Sequence, residues 1–222
     1  MNVITARQAL KANGGADISN CATLKHLILP YGKQGTLIDY VTGMHKTSAF
    51  TAHGDGWSTA NVATGSPVTA GSWFTPGTNN FTAHCVGKFG GGGGFSIGAQ
   101  INNGGFSIVA SGYIKSSIGA IRSINSDIEV GVANGYTLSR LGPASLESRK
   151  NGTVSDTAAL DPGDIATVDG AVGLFLATEF YAAAIFEFSG DTPANYATVL
   201  TEWTTRLLAG DVRLPVEIED WA

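Results

Sequence analysis

Polar and apolar residues alternate along much of this chain, and turn residues interrupt the alternation at short intervals. Alternation with period two is the pattern of half-buried strands. From Asn80 to Phe89, Phe81, Ala83, Cys85, Gly87 and Phe89 share one face, and Thr82, His84, Val86 and Lys88 share the other. Five glycines follow, Gly90 to Gly94. They are expected to form a mobile hairpin loop, because glycine frees the backbone and offers nothing to pack. A phosphate cradle is disfavoured there, since a strand rather than a helix comes next. Phe95-Ser96-Ile97 recurs as Phe106-Ser107-Ile108 after Asn102-Asn103-Gly104-Gly105, which predicts a hairpin. Further on, Ile128, Val130 and Val132 are expected to face inward, with Asp127, Glu129 and Gly131 outward. Asn134-Gly135 and Asn151-Gly152 are both expected to be tight turns, because Asn-Gly tolerates the positive φ such turns need. The apolar run from Ala171 to Phe188, interrupted by Thr178-Glu179, reads as two buried strand segments. A membrane span would need ~20 predominantly apolar residues.

The period changes once, near the C-terminus. Tyr196, Leu200, Trp203 and Leu207 fall on one helical face. Asp191 or Thr192 can cap such a helix, Pro193 suits its first turn and Gly210 its end, which predicts a helix over 192–209. The tail from Asp211 to Ala222 alternates Val216 and Ile218 with Glu217 and Glu219, and is expected to be extended.

Composition narrows the class. The 222 residues include 30 glycines, only 14% are charged, 43% are hydrophobic, and the net charge is -5. A disordered chain would carry more charge and less apolar matter. A nucleic-acid binder would show a basic excess. The N-terminus has no basic segment leading into an apolar run, so no secretory signal is expected. Cys21 and Cys85 are read as two buried free thiols, with a single bridge as the alternative. Asn80-Phe81-Thr82 and Asn151-Gly152-Thr153 fit the glycosylation sequon and are read as chance matches.

In their order along the chain, the stretches His26 to Asp39, Tyr136 to Gly152, Gly173 to Phe188 and Thr192 to Leu208 together resemble the concanavalin A-like (laminin-G-like) jelly-roll domains. His26 to Asp39, an apolar strand with Pro30-Tyr31-Gly32 and then Gly35-Thr36 leading to Asp39, is similar to their opening. Tyr136 through Lys150-Asn151-Gly152 resembles their Asn-Gly hairpin. Gly173-Leu174-Phe175-Leu176 with Ala182 to Phe188 resembles their closing strand, and Thr192-Pro193 to Leu208 the helical segment after it. The resemblance runs from about Leu24 to Gly210. It implies an all-β, antiparallel jelly-roll β-sandwich with one C-terminal helix, over residues 21–222. Residues 1–20 fall outside it and are expected to be an N-terminal attachment arm.

Some domains of this fold are glycanases that carry three alternating carboxylates on one strand, two of them ~5–5.5 Å apart. Glu217-Ile218-Glu219-Asp220 and Asp127-Ile128-Glu129-Val130 each offer two, so no catalytic residue is assigned and no enzyme is expected. His53-Gly54-Asp55 is the only histidine cluster with a hint of ligand chemistry, and no spacing matches a zinc site. Asp39, Asp55 and Asp191 are isolated loop donors rather than a calcium loop. No metal and no cofactor is expected. Trp57 and Trp73 sit among Gly, Ser and Thr, where a flat indole can stack on a sugar ring. The competing reading makes them caps at the core edge.

A domain type usual outside cells, on a chain with no export signal, is expected of a bacteriophage virion protein. It would be made in the host cytoplasm and displayed on the virion surface as capsid decoration or tail appendage. The expected partners are other virion proteins, further copies of the chain and a cell-surface glycan, with no nucleic acid and no membrane. A stand-alone carbohydrate-binding module is the alternative, and a glycoside hydrolase or lyase the third choice.

Overall fold

The computed structural model describes residues 8, 11, 14–31, 36–42, 45–47, 51–52, 60–61, 79–97, 106–109, 113–118, 120–124, 127–142, 145–159 and 172–221. In chain order the described strands are β1 (Leu24–Tyr31), β2 (Thr36–Asp39), β3 (His45–Thr47), β4 (Thr51–Ala52), β5 (Ala60–Asn61), β6 (Asn80–Ile97), β7 (Phe106–Val109), β8 (Tyr113–Ile118), β9 (Ala120–Ile124), β10 (Ala133–Arg140), β11 (Ser145–Lys150), β12 (Thr153–Ala159) and β13 (Val172–Phe188). One α-helix, α1 (Tyr196–Leu208), and a 3-10 helix, Val216–Asp220, follow. Every described strand pairing is antiparallel.

The long strands β6 and β13 organise the fold. The first half of β6 pairs with β10, its second half with β7, and β13 runs beside it throughout. One layer therefore has the order β12-β11-β10-β6-β13-β1-β2-β3. From the far half of β6, the chain continues through β7, β8 and β9, and β9 lies against β11 and β12. Gly90–Gly94 do not make a hairpin loop. They lie inside β6, and between the pairs Phe175↔Gly94 and Ala177↔Phe89 the stretch Gly90–Gly93 is set against Leu176 alone. Glycine permits so wide a bulge because no side chain must find a place on either face. Thr178-Glu179 likewise falls at register shifts within one continuous β13, not at a break between two strands.

Both faces of the first layer are covered, which explains why nearly every residue from Phe81 to Phe89 is buried. On the inner face Phe81, Ala83, Cys85 and Phe89 lie with Tyr136, Leu138, Ala183 and Ile185 of the neighbouring strands, and Ile124 of β9 is buried too. On the other face Leu27, Leu29, Val86, Ala184 and Phe186 form a second core with Leu200, Trp203 and Leu207 of α1. Full burial of each large side chain contributes roughly 1.5–3 kcal/mol before entropy is counted. Cys21 and Cys85 are free and buried.

Several local expectations hold. Phe95-Ser96-Ile97 pairs with Phe106-Ser107-Ile108 as a hairpin. Asn151 (φ 48°) and Gly152 (φ 80°) turn β11 into β12, closed by the Lys150↔Thr153 pair. Gly210 (φ 88°) ends α1, with the Gly210 N–H on the Leu207 carbonyl and the Asp211 N–H on that of Arg206. This is the Schellman arrangement that glycine allows.

Others are corrected. The helix begins at Tyr196, not at 192, with Asn195 as its cap residue. Residues 127–132 are not a strand: Asp127 (φ 52°) and Gly131 (φ 79°) turn the chain, and Val130 and Val132 are 53% and 40% exposed. The tail is not extended throughout: Val212 and Leu214 are buried in the second core, and residues 216–220 then form a 3-10 turn that brings Ile218 and Trp221, three apart, to the same core. Trp221 packs edge-on against Phe186, with ring centroids 5.0 Å apart. The boundary drawn at residue 20 cuts through packed structure. Ala16 and Ile18 are buried in the second core, and the Ala16 N–H donates to the Leu214 carbonyl.

Asn134-Gly135 is the most informative departure. The same dipeptide that turns the chain at 151 lies within β10 here. Gly135 is needed for closeness rather than for φ. A Cβ on it would sit 2.2 Å from Thr204 Oγ1 and 2.9 Å from Thr204 Cγ2 of α1. Gly152 lies under the same helix, where a Cβ would meet Thr201 Oγ1 at 2.3 Å.

Candidate functional site

Trp57 and Trp73, the candidate sugar platforms, lie outside the described residues, as do His53 and Asp55. Trp203 and Trp221 are 0% and 2% exposed, so neither offers a ring to a ligand. Glu217 and Glu219 are on the 3-10 turn rather than on a strand, and Glu219 accepts the Asp17 N–H (2.5 Å). Asp191 is exposed. No group of three or more metal-ligating side chains occurs among the described residues.

His84 projects from β6 into the second core. Thr204 Oγ1 donates to the Leu200 carbonyl, 2.9 Å, so it accepts from His84 Nε2 at 3.0 Å. Nδ1 is then the acceptor for the Thr137 hydroxyl, at 2.8 Å. Burial pushes the imidazole down to about 3, which keeps it neutral and structural.

His26 and Asp39 form a second buried pair on the inner face, Nδ1 to Oδ2 2.6 Å. Asp39 also accepts the N–H groups of Leu27 and Val41 and the Thr42 hydroxyl. Burial alone would raise its carboxyl. The His26 hydrogen bond and charge, with Thr42 and Val41, outweigh burial and hold it below the usual range. The aspartate that carries the family resemblance thus fastens the end of β2 to β1.

A third polar group lies where α1 starts. Glu147 and Arg149 alternate on β11 and face the helix side; Arg149 Nε reaches Glu147 Oε1 at 2.5 Å and Nη1 the Gly152 carbonyl at 2.6 Å. The Tyr196 hydroxyl donates to Glu147, and the Arg149 guanidinium lies over the Tyr196 ring, 5.6 Å from its centroid. Burial and then Glu147 raise the Tyr196 phenol. Tyr196 is legible in the sequence only as part of the apolar helix stripe, and the Glu147–Arg149 pair is not singled out there. The Glu-x-Arg spacing on a strand was the available signal, since it puts opposite charges on one face.

The remaining cluster lies at the end of the layer where β10 begins, with Asp127, Glu129 and Asn151 exposed and Asn134 and Tyr136 buried. Lys150 Nζ lies 2.8 Å from Asp127 Oδ2 and 3.9 Å from Glu129 Oε2. The Tyr136 hydroxyl accepts the Glu129 N–H (3.2 Å) and the Asn134 amide (3.3 Å). Asn151 Nδ2 donates to Asn134 Oδ1, and Asn151 Oδ1 accepts the Gly135 N–H. Asp127 and Glu129 are exposed carboxylates, and Val130 and Val132 of the same turn are exposed as well.

No family model matches the chain, and no curated protein matches it. Solved structures do. Domain 4 of AbnA, a GH43 extracellular arabinanase from Geobacillus stearothermophilus solved with arabinotriose, aligns at TM-score 0.56 and 13% identity, over 81% of this chain and 99% of that domain. Trypanosoma rangeli sialidase in complex with sialic acid aligns at 0.52 and 10% identity, over 84% of this chain and 34% of the sialidase. The binding domain of botulinum neurotoxin DC in complex with SialylT aligns at 0.50 and 11%, over 83% of this chain and 52% of that one. This chain therefore spans about a third of the sialidase and half of the toxin domain. At these identities the likeness establishes the fold, a lectin-like antiparallel β-sandwich with one C-terminal helix.

Proposed function

We propose that this chain is a non-catalytic carbohydrate-binding β-sandwich. The likeness over 99% of an arabinanase domain solved with arabinotriose carries the reading. The matches solved with sialic acid and SialylT support it. Hydroxyl hydrogen bonds to a neutral sugar yield little net energy, since water already makes them. The surplus comes from covering the apolar sugar face with an aromatic ring. Trp57 and Trp73, in segments rich in Gly, Ser and Thr, supply that ring. The 3-10 placement of Glu217 and Glu219 supports the non-catalytic part, because two carboxylates working across a glycosidic bond must face each other.

A glycan array with arabinan and sialylated oligosaccharides tests this. Trp57→Ala or Trp73→Ala should weaken binding about tenfold or more, ~1.4 kcal/mol, with little change in melting temperature. Absence of any glycan binding, or binding indifferent to both substitutions, refutes the reading. Release of reducing ends from a bound glycan refutes the non-catalytic part. A finer placement, on a virion surface as capsid decoration or tail appendage, is a separate proposal on which the solved neighbours do not bear. The copy number of the chain in purified particles decides it.

A further inference from the structure

Two Asn-Gly dipeptides, far apart in sequence, are bolted to each other. Asn151 Oδ1 accepts the Gly135 N–H at 2.8 Å, Asn151 Nδ2 donates to Asn134 Oδ1 at 2.7 Å, and the Asn151 N–H donates to the Gly135 carbonyl at 2.8 Å. Asn-Gly is the dipeptide most prone to lose its side-chain amide. The Gly nitrogen, having shed its proton, attacks Asn Cγ. A C–N bond forms, ammonia leaves, and water opens the resulting succinimide to aspartate or isoaspartate. The attack needs Cγ to swing onto the following nitrogen. At Asn151 both ends of the amide are tied to β10, which holds Cγ against that swing, although the residue itself is exposed in its turn.

We infer that Asn151-Gly152 is a deamidation site gated by the fold: closed while the β11–β12 hairpin is clamped on β10, and open when the hairpin detaches. The reaction is then one-way. An aspartate at 151 has no N–H to give Asn134. An isoaspartate adds a backbone carbon to a turn whose next residue is pressed under Thr201 of α1, so the hairpin cannot reseat. Local openings of this kind occur well below the free energy of global unfolding, so the conversion rate reads the opening directly.

The test is peptide mapping by mass spectrometry of the full chain aged in mildly alkaline buffer, native and in unfolding urea. Conversion at Asn151 should be at least about tenfold slower in the native protein. Asn134→Ala, which removes the oxygen that Asn151 Nδ2 holds, should speed native conversion severalfold; Asn134→Asp, which keeps an oxygen there, should not. The converted fraction, isolated by its extra negative charge, should melt lower than the parent. Equal native and unfolded rates overturn the gate, as does an Asn134→Ala protein that folds and ages no faster. If Asn134→Ala fails to fold, the comparison of native with unfolded wild-type chain decides alone. A converted fraction that melts like the parent overturns the one-way consequence.

Discussion

Gly135→Ala should cost this protein more than an alanine in a strand ordinarily does. The added Cβ would lie 2.2 Å from Thr204 Oγ1, 2.9 Å from Thr204 Cγ2 and 3.1 Å from His84 Cε1. Both branches of Thr204 point at the site, so exchanging them by rotation leaves a heavy atom in the way. Helix α1 must lift, or Thr204 must turn away and abandon His84. Overpacking of a tight core costs about 1–3 kcal/mol. A buried His84 N–H left without an acceptor adds another ~1–3 kcal/mol. The expected loss is therefore roughly 2–6 kcal/mol, a large share of the ~5–15 kcal/mol by which a domain is stable. Thr204→Ala alone should lose only the hydrogen bond. In the double variant the clash is gone and the two costs should fall short of their sum by about 1–3 kcal/mol. Urea unfolding of the four proteins measures the cycle. A Gly135→Ala loss under ~0.5 kcal/mol, or strict additivity, would refute the claim that this glycine exists to seat the helix.

Two further outcomes follow from the same packing. His84 titrates near 3 in the folded chain and near 6.5 when free, so as pH falls the unfolded chain takes up the proton first. Stability should drop from about pH 6.5 downward by ~1.4 kcal/mol per unit, and His84→Gln should flatten that slope; identical slopes would contradict the assignment of a neutral buried imidazole. Deleting residues 1–15 should leave a cooperatively melting protein, whereas deletion through Cys21 also strips Ala16, Ile18 and Cys21 from the second core and should cost several kcal/mol, ~0.8 kcal/mol per buried methylene, by thermal melts.

Where local chemistry alone decides, the fold was legible. The Phe-Ser-Ile hairpin, the Asn151-Gly152 turn, the helical stripe of α1 and Gly210 at its end need only neighbours in sequence. Asn134-Gly135 defeats the same logic, because a residue 16 positions away and a helix still farther on use it in an extended strand. Residues 127–132 alternate like a strand but turn, since Asp127 and Gly131 adopt positive φ and Tyr136 takes the Glu129 N–H. The candidate sugar platforms, Trp57 and Trp73, fall outside the described residues.

The polar half of the alternation carries the less obvious lesson. A strand with one wet face should keep Thr82 and His84 in water, and a period-two reading assigns them there. In this protein a helix and both terminal segments close over that face, so its polar residues must find partners inside. They do so with one another and with α1: Thr82 with Ser139 and His84 with Thr137 across strands, His84 also with Thr204 of α1, and Glu147 with Arg149 on β11 and with Tyr196 of α1. Buried hydroxyls and imidazole can be satisfied by one or two bonds each, while buried charges need a matched ion. A layer covered on both sides therefore favours Thr, Ser and His over Lys and Asp.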